Sequence, residues 1–175
     1  MNTDDQPFEA ARILKDLDVS ASELGYRAQA LFAETLARMG ATIDAVARAG
    51  HPDVTAQIGG RLLRVQVKAT RQYSFSLTAE DLKGIRPRSP QEDGYLAVLD
   101  LAPPLTWTCV RYVHLRALLG RQVPLAMLKS MADAPFSSQC TGSCVQLLIE
   151  HRASIEAFTF SLLRKRALWE GKAKE

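Results

Sequence analysis

The sequence predicts a mixed α/β domain with a central β-sheet and a helical C-terminal extension. Three observations predict it. Helical segments precede residue 40, about five strand-like segments lie between residues 41 and 112, and helical periodicity returns after residue 113. Strands interleaved with helices are typical of a sheet covered by helices. A chain of 175 residues suits one domain with one core, so we expect residues 1–175 to form a single unit.

The N-terminal part predicts two helices. Residues 8–17 can form a short amphipathic helix. Ser20 and Glu23 have the spacing of a capping box, in which two side chains satisfy the first free amides of a helix. Apolar residues then recur at helical spacing up to about Met39. Gly40 follows, and glycine is common just beyond a helix end.

The middle of the chain predicts the sheet. Gly59 and Gly60 separate two strand-like segments and tolerate the positive φ angles of a tight hairpin. Thr78 suits the N-cap of a short helix. Strands are predicted at residues 41–50, 53–58, 61–69, 95–101 and 106–112, with a strand-to-helix segment at 74–85. Beyond them, helices are predicted at 114–120, 124–131 and 154–170, with a loop at 133–144.

Composition limits the classes of protein that fit. No apolar run approaches the roughly 18 residues that cross a bilayer, and the acidic N-terminus lacks the apolar core of a signal peptide. We therefore expect no membrane association. Three cysteines, without the spacing of a disulfide framework, favour a reducing cytoplasm. The net charge of +3 permits nucleic-acid binding without requiring it.

Positive charge is concentrated between residues 61 and 88, a segment that contains seven lysines and arginines but only two acidic residues. A solvated strand face would explain this segment, and so would a surface for a phosphate backbone. Within it, Arg64, Thr70 and Arg71 are candidate phosphate contacts, and Tyr73 is a candidate for stacking on a base. Strand propensity and edge-strand packing are the structural alternatives for Thr70 and Tyr73.

The predicted hairpin also brings polar residues together. Asp53 begins its first strand and Lys68 lies near the end of the second, while Gln66 and Lys68, two residues apart, leave the same face. A hard divalent cation prefers oxygen ligands. Asp53 supplies a charged one, and the Gln66 side-chain and Val67 backbone carbonyls supply neutral ones. Lys68 can orient the attacking water or stabilise charge on a phosphorane.

These residues carry a family resemblance. Pro52-Asp53, a hairpin, Gln66-Val67-Lys68 and a preceding helix that ends at glycine resemble the PD-(D/E)XK nuclease superfamily, in its Gln-X-Lys form that some restriction and homing endonucleases share. The resemblance implies a restriction-endonuclease-like α-β-β-β-α-β core over residues 22–112, extended by helices over 113–175. It also implies Mg²⁺ or Mn²⁺ as cofactor, DNA (most often double-stranded) as partner, and assembly as a homodimer or homotetramer.

The family often places a glutamate on its first helix. Laid on this sequence, that position holds Gln29, and Glu34 is the nearby acid that a shifted helix would bring into place. Up to two of the three usual carboxylates are therefore amides. The predicted function is a metal-dependent DNA nuclease with Asp53, Gln66 and Lys68 as catalytic residues. The alternative is a catalytically inactive member of this fold that binds nucleic acid or a protein.

Overall fold

The computed structural model describes residues 3–17, 19–46 and 52–172. Its helices and strands follow in the order α1 Gln6–Lys15, α2 Ala21–Arg38, β1 Thr42–Val46, β2 Val54–Ile58, β3 Arg61–Thr70, β4 Ser74–Ser76, α3 Ala79–Ile85, β5 Glu92–Asp100, β6 Thr106–Arg111, α4 Tyr112–Leu115, β7 Gln122–Pro124, α5 Leu125–Ser130, α6 Ala134–Glu150 and α7 Ile155–Lys172. Short 3₁₀ turns precede α1, follow α4 and precede α7.

A five-stranded mixed sheet organises the molecule, in the order β1-β2-β3-β5-β6. The strands β1, β2 and β3 form an antiparallel meander, β5 lies parallel to β3, and β6 returns antiparallel to β5. The crossover from β3 to β5 passes through β4 and α3. The order α2-β1-β2-β3-α3-β5 reproduces the predicted α-β-β-β-α-β core, so the predicted fold class is confirmed.

The hairpin between β2 and β3 sets the register of the site. Gly59 and Gly60 adopt φ angles of +55° and +76°, which residues with a side chain rarely adopt, and Ile58 pairs with Arg61 across this turn. At the other end of the hairpin Val54 pairs with Val65. The residue that precedes β2, Asp53, therefore lies beside the second half of β3.

The two faces of the sheet bury separate apolar clusters. The larger cluster lies between the sheet and the helices α1, α2, α6 and α7, and it takes Val65 and Val67 from β3. The smaller cluster on the opposite face joins Leu96 and Val98 of β5 to residues of α3, α4, α5 and β7. Because side chains alternate along a strand, Gln66 and Lys68 leave one face together, as predicted, and the structure shows that α3 packs on this face.

One predicted segment is wrong. Residues 133–144 are predicted to be a loop, but residues 134–144 belong to α6 and Asp133 is its N-cap. Asp133 caps this helix by accepting a hydrogen bond from the backbone N–H of Phe136 at 3.3 Å, and Pro135 fits its first turn. Cys140 and Cys144 lie one turn apart on its buried face. Small polar residues hid this periodicity, because they pack closely against β6 without looking apolar.

The structure also describes part of the first predicted strand and a short additional sheet. Strand β1 is described to Val46, and the remainder of the predicted strand, residues 47–50, lies outside the described residues. The segment Ser74–Ser76 forms a small two-stranded sheet of its own with Gln122–Pro124.

Among the residues that the structure describes, none of the helices is both long and apolar enough to span a bilayer.

Candidate nuclease site

Asp53 is anchored beside β3 by hydrogen bonds from two residues of that strand. The Gln66 side-chain Nε2 donates to Asp53 Oδ2 at 2.6 Å, and the backbone N–H of Val67 donates to the same oxygen at 2.8 Å. Both bonds end on Oδ2, and together they fix the direction of the carboxylate. The predicted proximity of Asp53 and Gln66 is therefore present in the structure.

The surroundings of Asp53 favour its neutral form. Burial raises the pKa of this carboxyl above its ordinary value, and the nearby charge of Asp81 adds to the increase. The Val67 amide, the Lys68 ammonium and the Gln29 side chain act in the opposite direction without reversing it. A half-buried carboxylate with a raised pKa gains from a cation beside it, since the cation stabilises the charged form.

Gln66 presents a donor rather than an acceptor to Asp53. Its amide nitrogen holds the carboxylate, whereas the predicted metal ligand is the amide oxygen of the same side chain. A half-turn of the amide would exchange the two atoms. The predicted ligation by Gln66 Oε1 and by the Val67 carbonyl stays a prediction.

Lys68 is held by an acidic residue that the sequence argument did not single out. Lys68 Nζ donates to Asp81 Oδ1 of α3 at 2.8 Å. The other oxygen, Asp81 Oδ2, accepts hydrogen bonds from the backbone N–H and the hydroxyl of Thr78, each at 2.9 Å. Burial alone would raise the pKa of Asp81, but the Lys68 and Thr78 hydrogen bonds bring it below its ordinary value. Asp81 therefore stays ionised beside Lys68.

A local signal for Asp81 exists in the sequence. Thr78 and Asp81 have capping-box spacing, and the structure shows both reciprocal bonds of that motif. Thr78 is recognisable as an N-cap, but the partner of a capping box is normally assigned a local structural role. The contact between Asp81 and Lys68 crosses from a helix to a strand, so spacing along the chain does not reveal it.

The first-helix positions differ in their surroundings. The Gln29 side chain is near enough to Asp53 to stabilise its charged form, and among the described residues its Oε1 is a buried oxygen without a hydrogen-bond partner. Glu34 instead pairs with Lys165 of α7 at 2.8 Å. The structure thus brings Gln29 to the site and engages Glu34 with the C-terminal helix.

Of the four predicted nucleic-acid contacts, a first group of two is buried and a second group of two is exposed. Arg64 is 8% exposed and pairs with Glu92 at 2.8 Å, so it would have to leave this ion pair to reach a phosphate. Thr70 is buried, and its hydroxyl bonds the backbone of Gln72. Arg71 and Tyr73 are exposed, and Tyr73 is 90% exposed. Only the second group is presented to solvent.

A cavity of about 270 Å³ connects the site to solvent. Asp53 and Gln66 line it together with α3 and the loop that follows; we call it the acidic cavity because Asp53, Glu80 and Asp81 all line it. Lys83 and Arg88 lie at the same cavity and supply positive charge. By its place in the sequence, His51 suits a turn residue or a metal or water contact beside Asp53, and it lies outside the described residues.

The donor set fits a hydrated divalent cation. The described residues include no group of three or more histidine, cysteine, aspartate or glutamate side chains placed to bind a metal. Mg²⁺, however, is usually bound by one or two carboxylates and keeps several of its waters. The Asp53 carboxylate and the unpartnered oxygen of Gln29 are oxygen donors of this kind. They suit an open, partly hydrated cation rather than one enclosed by protein ligands.

Comparison with solved structures finds proteins of similar fold. The chain is similar to Hjc, a Holliday junction resolvase from the archaeal hyperthermophile Archaeoglobus fulgidus, with 19% sequence identity and a TM-score of 0.47. The similar part covers 58% of this chain and 90% of that chain. No protein-family model matches the chain, and no curated protein matches it.

Proposed function

We propose that this chain is a metal-dependent nuclease that hydrolyses phosphodiester bonds of DNA. The observation that supports this function best is the convergence of three elements on one solvent-connected cavity. Asp53 precedes β2, Gln66 belongs to β3, and Asp81 of α3 reaches across to hold Lys68. A carboxylate, an amide and an ammonium at one sheet end suit phosphodiester hydrolysis.

Asp53 would hold the cation, with Gln29 and Gln66 as neutral partners. A bound divalent cation supplies Lewis-acid polarisation of the scissile phosphate and of the attacking water. Gln66 and the Val67 amide fix the direction of the Asp53 carboxylate. Burial raises the pKa of Asp53 above its ordinary value, and a cation bound beside this carboxylate would stabilise its charged form.

Lys68 would act on the phosphate and the water. Its ammonium can stabilise the negative charge that develops on the phosphorane and can orient the attacking water by hydrogen bonding. Asp81 limits the directions in which Lys68 can point, because the ion pair is itself fixed by the Thr78 capping box. The helix α3 therefore determines the position of the lysine.

DNA, most often double-stranded, is the proposed partner. Lys83 and Arg88 at the acidic cavity and the exposed Arg71 lie where the phosphate backbone on either side of the cleaved bond would pass. Positive side chains that neutralise phosphates make binding depend strongly on salt. We expect DNA affinity to fall as salt rises, and a salt-independent affinity would contradict a phosphate-based interface.

The second candidate is an inactive member of this fold that binds nucleic acid or a protein. The orientation of Gln66 favours it, because the amide satisfies Asp53 with a hydrogen bond that a carboxylate at the same position would not donate. The two candidates predict the same binding surface and differ in turnover. Cleavage therefore separates them.

The decisive assay uses purified protein with plasmid, linear, branched and single-stranded DNA, and with RNA. Each is incubated with Mg²⁺, Mn²⁺ or EDTA. We expect metal-dependent cleavage of DNA that Asp53→Ala and Lys68→Ala abolish, while the matched surface variants Asp5→Ala and Lys15→Ala retain it. Cleavage that survives both site substitutions would contradict the site, and binding of DNA without cleavage would favour the inactive alternative.

The proposal also includes assembly of the chain as a homodimer or homotetramer and a cytoplasmic location. A homodimer or homotetramer would place two sites on two strands, with the C-terminal helices over residues 113–175 as the proposed contact surface. Light scattering of the purified chain measures its mass, and a monomer at assay concentration would contradict assembly. The three cysteines are free and buried, which is consistent with the predicted cytoplasmic location, and fractionation of cells that express the chain tests it.

A further inference from the structure

A second and larger cavity lies next to Lys68, and Asp53 is not among the described residues that line it. Its volume is about 520 Å³, and it lies between the first turn of α2 and the segment that leads from β3 into β4. Lys68 and Arg71 line it, with Gln72, Phe75 and Gln122. We call it the basic cavity, because none of the described residues that line it is acidic.

The walls of the basic cavity combine three kinds of group. Lys68 and Arg71 provide positive charge. Hydroxyl and amide side chains provide hydrogen bonds, and one of them, Gln122 Nε2, already donates to Ser76 Oγ at 3.0 Å. Leu24 and Phe75 provide apolar surface. Positive charge suits a phosphate, while flat apolar surface with hydrogen-bonding groups at its edge suits a nucleobase.

Tyr73 extends this surface into solvent. Its neighbours in the chain, Gln72 and Ser74, both line the basic cavity, and its own side chain is 90% exposed. The backbone there is fixed, because Tyr73 O accepts a hydrogen bond from the backbone N–H of Leu125 at 2.8 Å. A fixed backbone that carries an exposed aromatic ring is suited to stacking on a base.

We propose that the basic cavity binds one unpaired nucleotide beside the phosphodiester bond held at the acidic cavity. This rests on the proposed action on DNA. A volume of about 520 Å³ lies in the range of small-ligand pockets. It admits one nucleotide, whereas a stacked base pair inside a duplex cannot enter. The preferred substrate class is therefore DNA with an unpaired nucleotide near the cleaved bond, such as a bulge or a flap.

The experiment measures binding without cleavage. Three fluorescein-labelled probes of the same sequence are titrated in EDTA: a perfect duplex, the duplex with one central unpaired nucleotide, and the same bulge without its base. We expect the bulged duplex to bind about tenfold more tightly than the perfect duplex, the scale of one stacked base. The abasic bulge should lose this preference.

Two variants locate the preference. Tyr73→Ala should bring the bulged and perfect duplexes to similar affinity. The matched control Phe8→Ala, which removes another exposed aromatic ring, 53% exposed on α1, should leave the preference intact. Arg71→Ala should weaken all three probes and reduce the salt dependence of binding.

Each result decides the inference. Equal affinity of the wild type for bulged and perfect duplexes would overturn it, as would a preference that Tyr73→Ala leaves unchanged or a failure to bind any probe. Because the titration contains EDTA, it does not depend on turnover. Cleavage without a bulge preference would overturn this inference alone, and a bulge preference without cleavage would overturn the nuclease proposal alone.

Discussion

The acidic and basic cavities share one ion pair and differ in the charges around it. Asp81 lines the acidic cavity and Lys68 lines the basic cavity, so the contact between them forms part of both walls. In the acidic cavity, carboxylates and cations are mixed, and hydrogen bonds fix Asp53 and Asp81. The lining of the basic cavity, as far as it is described, includes no acidic residue, and the partner of Lys68, Asp81, belongs to the acidic cavity.

This difference separates two tasks. Fixed, paired groups suit the reacting phosphate, where direction matters more than attraction. Unpaired positive and aromatic groups suit the flanking nucleotide, where attraction and stacking matter more. We therefore expect changes at the acidic cavity and at its ion pair with Lys68 mainly to alter turnover, and changes at Arg71 and Tyr73 mainly to alter affinity.

Lys68 is where the largest effect is expected. Lys68→Met keeps the length and apolar contacts of the side chain but removes its charge. We expect the single-turnover cleavage rate to fall about 10²–10³-fold, as for loss of one group that stabilises a transition state. Affinity for DNA in EDTA should change only a few-fold. The control is Lys15→Met on α1, and a Lys68→Met protein with normal rate but poor affinity would reverse the division between the cavities.

Arg64 is expected to contribute to stability rather than to either cavity. Its guanidinium pairs with Glu92 at the start of β5, with both side chains largely buried. Arg64→Ala should lower the free energy of unfolding by about 1.5–3 kcal/mol, the usual range for a hydrogen bond to a charged group. Urea denaturation measures it, with the exposed Arg152→Ala as control. Unchanged stability with weakened DNA binding would instead restore Arg64 as a phosphate contact.

Thr78 caps α3 and also donates a hydrogen bond to Asp81, which in turn pairs with Lys68. Thr78→Ala removes the N-cap and one of the three groups that donate hydrogen bonds to the Asp81 carboxylate. We expect a loss of about 1 kcal/mol in the free energy of unfolding and a smaller decrease in cleavage rate. Thr78→Ser, which keeps the hydroxyl, should retain both. If Thr78→Ala lowers stability but leaves the rate unchanged, then α3 does not determine the position of Lys68.

The two carboxyl groups of the acidic cavity should respond to pH with opposite signs. The pKa of Asp53 is raised in the folded protein. Ionising this carboxyl therefore lowers the free energy of unfolding as pH rises from the unfolded-state pKa through the higher folded-state pKa. The pKa of Asp81 is lowered, so its contribution is present above the unfolded pKa and is lost as pH falls. Asp53→Asn should therefore become relatively more stable than wild type as pH rises, and Asp81→Asn relatively less stable.

Urea denaturation of the two variants between pH 3 and pH 7 compares these signs. The free energy of unfolding relative to wild type should rise with pH for Asp53→Asn and fall with pH for Asp81→Asn. Parallel changes would mean that the two carboxyl groups do not occupy electrostatically different positions in the same cavity.

Local and non-local features of the site differ in how far the sequence reveals them. The Gly59–Gly60 hairpin and alternation along β3 place Asp53, Gln66 and Lys68 correctly, because strand periodicity and turn chemistry are local. The contact of Lys68 with Asp81 was not predicted, since it depends on how α3 packs against the sheet. The same applies to the pairing of β4 with β7, which joins segments nearly 50 residues apart in the chain.

The direction of the Gln66 amide is a further detail beyond sequence pattern. A glutamine in this position can present oxygen to a cation or nitrogen to a carboxylate. In the structure the nitrogen faces Asp53, and the choice depends on the surrounding charges. The helix α6 was missed for another reason, because its serines, threonine and glycine resemble a loop in composition although they occupy a helical surface.

The most direct test of the nuclease assignment is single-turnover cleavage of a labelled branched duplex, with Mg²⁺ added to saturation, by the wild type and by Asp53→Asn. This substitution retains the size of the side chain and removes the charge proposed to hold the cation. The account predicts cleavage by the wild type that EDTA stops, and a rate for Asp53→Asn at least about 10²-fold lower with DNA binding retained. Equal rates for the two proteins, or cleavage that persists in EDTA, would contradict it.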